Sequence, residues 1–265
     1  MITNSVLIAA LAGIWATELV LSSGVSATQS TSIVPAQKSA LEVSLDFNPP
    51  NRGAPQTTTG GASRSNCVRG NPPLTLLVPA DKTGQFGLTT LARPTLLVYV
   101  PRTTARSAEF LLKVKSGNQP EGKEIYRTTV KVSGKAGVVS LSLPESAPGL
   151  EVGKDYQWYF SLICNPEDRL SDVFANAWIS RTQPSSKLAT ALKQASPRDR
   201  PALYSASSYW YDPLASLAEL RRRNPQDAAL VQDWGQLLRG VGLKEVAPQP
   251  LLLQPSGNPT AATPR

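Results

Sequence analysis

The sequence predicts an α+β fold by segregation, an antiparallel β-sandwich followed by a small C-terminal helical segment. Three observations carry that prediction. From residue 74 to 182, apolar and polar residues alternate in short runs separated by Gly and Pro turns, the period of half-buried strands. At Ser185 the apolar spacing changes to three and four residues, the period of helices. No helical pattern interrupts the strand region, which argues for antiparallel layers over parallel βαβ units.

In chain order, Val6 to Ala16 is an apolar stretch, Glu18 interrupts it, and Val25-Ser26-Ala27 places small residues where a signal peptidase reads. Residues 1–27 are therefore expected to be a signal peptide cleaved after Ala27, directing the mature chain to the periplasm or the extracellular space. The stretch falls short of the roughly 20 apolar residues that a spanning helix needs, so no spanning membrane segment is expected after cleavage. An uncleaved N-terminal anchor is the alternative. Residues 28–50 read as a polar, flexible leader, with Val43 and Leu45 as a possible short strand.

The sandwich is expected over 51–182. It opens on Arg52-Gly53-Ala54-Pro55 and on Thr57-Thr58-Thr59-Gly60-Gly61-Ala62-Ser63-Arg64, followed by Cys67. Glycines and hydroxyls there could turn backbone N–H groups, with Arg52 or Arg64, toward an anion. The segment lacks the spacing of a phosphate loop and precedes no helical pattern, so a connection pinned by Cys67 is the favoured reading.

Thr95 to Val100 is a continuous apolar run bracketed by Pro94 and Pro101, as in a strand buried on both faces. Ala108, Phe110, Leu112 and Val114 alternate with Glu109, Lys113 and Lys115. Tyr126 to Val132 and Val139 to Leu143 repeat the pattern. Tyr156, Trp158, Phe160, Leu162 and Cys164 share one face of a further strand, and Val173 to Thr182 forms the last. Leu150-Glu151-Val152-Gly153-Lys154-Asp155-Tyr156 resembles the tyrosine corner of immunoglobulin and fibronectin type III sandwiches, in which a turn glycine precedes a Tyr whose hydroxyl returns to backbone a few residues upstream. In an oxidising compartment the even pair Cys67 and Cys164 reads as a disulfide, which for a loop of about 100 residues stabilises by roughly 4 to 5 kcal/mol in the chain-entropy view.

The helical segment is expected over 183–246. Leu188, Ala191, Leu192 and Ala195 form one stripe, and Leu214, Leu217, Ala218 and Leu220 another, with Asp212-Pro213 as N-cap and first helical residue. Leu230, Val231, Trp234, Leu237 and Leu238 make a third helix that Gly240 and Gly242 end. Tyr204, Tyr209, Trp210 and Tyr211 either pack these helices on the sandwich, the favoured reading, or present a stacking surface for sugar or peptide. Residues 247–265, with five prolines, are expected to be a disordered tail.

Composition sharpens what the chain can do. It has 265 residues, no His and two Cys. A Ser-His-Asp triad, a Cys-His pair and imidazole-ligated metals are excluded, and two thiols cannot make an all-cysteine zinc site or an iron–sulfur cluster. No metal and no cofactor is expected. Asn165, Glu167, Asp168 and Asp172 could gather calcium, but their spacing is not an EF-hand, so a solvated turn is favoured. The formal charge of +8 is spread along the chain, whereas clustered charge marks nucleic-acid binding, so no nucleic acid is expected. An anionic glycan or membrane surface suits that charge better. The one cationic run, Arg221-Arg222-Arg223, sits where cations offset the negative end of a helix dipole; an anionic partner is the rarer use.

These segments together resemble the domain of unknown function 928 family of cyanobacterial proteins. The resemblance rests on Arg52-Gly53-Ala54-Pro55, Gly60 to Arg64 and Cys67, on Pro94-Thr95 with Tyr99-Val100-Pro101, on Gly153-Lys154, Tyr156, Trp158, Phe160 and Cys164, and on Trp210-Tyr211-Asp212 with Asn224-Pro225 and Trp234. It spans roughly residues 50–243 and implies a secreted or envelope-associated protein with no established activity. The expected function is a non-catalytic interaction or carbohydrate-binding module that meets an envelope protein or glycan, with Arg52, Arg64, Tyr209, Trp210 and Tyr211 as candidate contacts. The competing expectation is a carboxylate-based hydrolase of envelope glycan.

Overall fold

Alternation builds the middle of the molecule. Along Ser107–Ser116, Ala108, Phe110 and Leu112 are buried while the residues between them are half-buried. On the neighbouring strand Phe160 lies opposite Phe110 and Trp158 opposite Leu112, so both apolar rows face one core. The computed structural model describes residues 45–50, 66–82, 84–116 and 119–252. Its strands are β1 (Val68–Arg69), β2 (Thr75–Leu76), β3 (Ala80–Asp81), β4 (Gly84–Thr89), β5 (Thr95–Val100), β6 (Arg102–Thr103), β7 (Ser107–Ser116), β8 (Gln119–Lys131), β9 (Gly137–Ser142), β10 (Asp155–Leu162) and β11 (Val173–Arg181). Its helices are α1 (Ser186–Gln194), α2 (Arg200–Ala206), α3 (Tyr211–Arg223) and α4 (Ala228–Gly240).

The strands form a six-stranded sheet in the order β3-β4-β11-β10-β7-β8, a three-stranded sheet β2-β5-β9 and the small pair β1-β6. All pairings between these strands are antiparallel except β4 with β11, which is parallel. The class is thus α+β with strands and helices segregated along the chain, but the large sheet is mixed where the alternation predicts an antiparallel one. One hydrophobic core joins Leu96, Val98 and Val100 of β5, Trp158 and Phe160 of β10, and Leu214 and Trp234 of the helices. Among the described residues, no helix is long and apolar enough to cross a membrane.

The expected tyrosine contact is present: the Tyr156 hydroxyl accepts a hydrogen bond from the Glu151 N–H at 2.8 Å, with Gly153 at φ +79° in the turn between them. Cys67 and Cys164 form the disulfide, their Cα atoms 5.6 Å apart. Ser185 caps α1 by accepting from the Leu188 N–H, and Asp227 caps α4 by accepting from the Ala229 and Leu230 N–H groups, as short oxygen-bearing side chains do at helix starts.

Three expectations need correction. Asp212 is no N-cap, because α3 begins one residue earlier and the Asp212 carboxylate is spent on another element, described below. Residues 247–252 are not part of a disordered tail. The Val138 N–H donates to Pro250 C=O and the Leu252 N–H to Val138 C=O, both at 2.8 Å, so this segment runs parallel to the β9 edge. Gly137 makes room for it: a Cβ there would lie 2.5 Å from Leu252 Cγ. The leader also contributes to the core, since Leu45 is buried and Phe47 packs edge-on against Trp210 with ring centroids 4.9 Å apart. Val43 and the expected signal peptide lie outside the described residues.

Candidate functional site

The residues Tyr209 to Asp212 bind α3 to both sheets. Trp210 Nε1 donates to Leu77 C=O at 2.7 Å. The Tyr211 hydroxyl accepts from Trp158 Nε1 at 2.9 Å and donates to Trp178 C=O at 3.1 Å, linking β10 and β11. Tyr209 donates to Gln183 C=O and accepts from Thr182 Oγ1. The Asp212 carboxylate takes the Thr90 N–H at 3.1 Å and the Thr90 hydroxyl; burial nevertheless pushes its pKa above the usual aspartate value. Tyr209, Trp210 and Tyr211 are 6%, 0% and 1% exposed, so the stacking surface considered for them is corrected to an interior seam. Their polar tips find partners inside, which lets an apolar ring be buried without stranding a donor.

The far end of α3 is different. Helix α3 crosses β5, and between them, bounded also by β9 and residues 251–252, lies a cleft of about 890 Å³. Thr95, Leu97, Val138 and Ser140 form its strand wall, and Ala215, Ala218 and Arg221 its helix wall. Helical spacing divides the arginine run. Glu219 is three residues before Arg222 and four before Arg223, the separations at which side chains meet, whereas Arg221 at two residues cannot reach it. Arg222 accordingly holds both carboxylate oxygens of Glu219 at 2.7 Å, and Arg223 Nε donates to Oε1 at 2.6 Å. These bonds, Arg222's first, hold the Glu219 pKa down to about 2.

Arg221 turns the other way. Its guanidinium carbon lies 5.1 Å from the ring centroid of Trp234 on α4, its Nη1 is buried with no hydrogen-bond partner, and burial lowers its pKa. Trp234 Nε1 is likewise buried without an acceptor. The spacing from Glu219, visible in the sequence, separates Arg221 from the other two arginines of the run.

Carboxylates also meet on the large sheet. Arg169 stands between Asp172, 2.6 Å from its Nε, and Glu109, 3.5 Å from its Nη2, and Arg127 adds a 2.8 Å pair to Glu109. In the turn weighed for calcium, Asp168 accepts from the Leu170 N–H, Asn165 from the Glu167 N–H, and Asp172 from the Cys164 N–H, so these oxygens serve the turn itself. On the same sheet Tyr159 donates to Gln157 at 2.7 Å and Gln157 to Asn176 at 2.8 Å. Arg52 and Arg64 lie outside the described residues.

Fold and site together define a disulfide-linked α+β protein with a cation-bearing cleft between its helices and its smaller sheet. The family model described as Domain of Unknown Function (DUF928) matches residues 59–251, most of the chain, and the protein belongs to that family. No curated protein and no solved structure matches it.

Proposed function

We propose that the protein is a non-catalytic interaction or carbohydrate-binding module of the periplasm or cell surface, built on an immunoglobulin/fibronectin type III-like sandwich of the three-stranded and six-stranded sheets. The core shared by both sheets and the tyrosine contact at Tyr156 support the sandwich. The disulfide and the N-terminal apolar stretch support the compartment. One observation carries the binding reading: the cleft joins hydroxyls, small apolar walls and the Arg221 guanidinium, whose Nη1 has no hydrogen-bond partner, groups that hold a ligand without transforming it.

The hydrolase alternative needs two carboxylates facing each other, one of them able to donate a proton near neutrality. Glu219, the carboxylate of the cleft, is held ionised by two guanidinium groups, and Glu109 and Asp172 have Arg169 between them. The test is retention of the mature chain on immobilised envelope glycan, with the eluate assayed for soluble sugar. Retention without release is expected. Sugar release that Glu219→Gln or Glu109→Gln abolishes would establish the hydrolase instead.

A further inference from the structure

We infer that Arg221 is the docking point for a carboxylate, and that the ligand class of the cleft is a glycan carrying uronic acid groups. This rests on the binding-module reading and adds the chemistry of the ligand. A guanidinium taken out of water is stable only if its donors are satisfied. Here the carboxylate in reach of the arginine run is consumed by Arg222 and Arg223, and the ring of Trp234 covers one face of Arg221 without accepting its N–H groups. What remains is a half-buried guanidinium on the cleft wall, carrying one positive charge and with its Nη1 unpaired. A flat monoanion such as a carboxylate matches a guanidinium with two parallel hydrogen bonds.

The rest of the wall indicates what the carboxylate is attached to. Along β5 and β9 hydroxyl and apolar residues alternate, Thr95 with Leu97 and Ser140 with Val138, opposite the small faces of Ala215 and Ala218. A pyranose ring presents the same mixture, with hydroxyls at its rim and C–H groups on its faces. The Thr95 hydroxyl is already bonded to Ser142 Oγ at 2.9 Å, but a purely hydrocarbon chain would leave the Ser140 hydroxyl facing it without use, and the spread positive charge of the chain steers a polyanionic glycan toward the protein.

The test titrates the mature chain with a galacturonic acid oligomer and with the same oligomer after its carboxyl groups are reduced to alcohols, following tryptophan fluorescence and heat. The acidic oligomer is expected to bind at least about tenfold more tightly than the reduced one, about 1.4 kcal/mol, and to weaken with added salt. Arg221→Gln should remove that preference, Arg223→Gln should keep it, and Ala218→Trp, which fills the cleft, should abolish binding of both oligomers. The comparison of the two oligomers needs no variant, so it decides even if Arg221→Gln fails to fold. Equal affinity for both oligomers, or tighter binding of a sulfated neutral oligomer, overturns the carboxylate assignment while leaving the binding module standing. Binding of neither oligomer, nor of envelope glycan, overturns both.

Discussion

The two ends of α3 solve the same problem in opposite ways. At its start, Trp210, Tyr211 and Asp212 go into the interior with acceptors and donors supplied by β10, β11 and the flanks of β2 and β4. At its end, Arg222 and Arg223 are bonded to Glu219, while Arg221 is half-buried over the Trp234 ring with its Nη1 left without a hydrogen-bond partner. A polar group whose partner is built into the chain serves architecture. One desolvated without a partner costs stability.

The largest effect should come from breaking the satisfied end. Trp210→Ala removes a fully buried ring and its bond to Leu77, and a loss of about 3 to 5 kcal/mol in urea unfolding is expected for such a truncation. A loss below about 1 kcal/mol would show that the seam does not anchor the helices. Gly87→Ala attacks the same seam from the strand side. Its Cβ would come 2.8 Å from the Tyr211 ring and 3.1 Å from Trp210 Cβ, and overpacking of this kind costs about 1 to 3 kcal/mol.

The smallest and most discriminating effect is in pH. The Asp212 pKa is raised in the fold, so its contribution is fully present below the ordinary aspartate value of about 3.9 and is lost as pH rises through the raised one. The Glu219 pKa is lowered to about 2, so its contribution is present above the ordinary glutamate value of about 4.3 and is lost as pH falls toward 2. Urea midpoints measured against pH should lose the first dependence in Asp212→Asn and the second in Glu219→Gln. For the half-exposed Glu219 network the change at neutral pH should stay under about 1 kcal/mol. Parallel profiles for the two variants would erase the contrast between the ends of the helix.

Much of the fold was legible because burial imposes a period. The strands β7, β8, β9, β10 and β11 announce themselves by alternation, β5 by a continuous apolar run between two prolines, and Tyr156 by its position after a turn glycine. The other five strands do not. Four of them, β1, β2, β3 and β6, have two residues each, too few to show a period. In β4, Gly84 and Gly87 interrupt the pattern, and Gly87 is there because Tyr211, far along the chain, leaves no room for a side chain. Long-range crowding of that kind writes no local signal, which is why the parallel pairing of β4 with β11 was not foreseen. Asp212 shows the same limit: an Asp before Pro looks like a cap until a distant Thr90 claims its carboxylate. The cleft was half legible, since the spacing from Glu219 singles out Arg221, but only the fold places Trp234 and the strand wall around it.

The docking of residues 250–252 on β9 sets an order of events for a chain made from its N-terminus. The residues of the disulfide, Cys67 and Cys164, both precede β11 and the four helices, so the bond can close before the six-stranded sheet is complete. The open side of β9, a strand edge able to pair with any other chain, is shielded by Pro250 and Leu252 only after all four helices have been delivered. Molecules truncated shortly before residue 250 would therefore be oxidised and largely folded, yet adhesive along one strand.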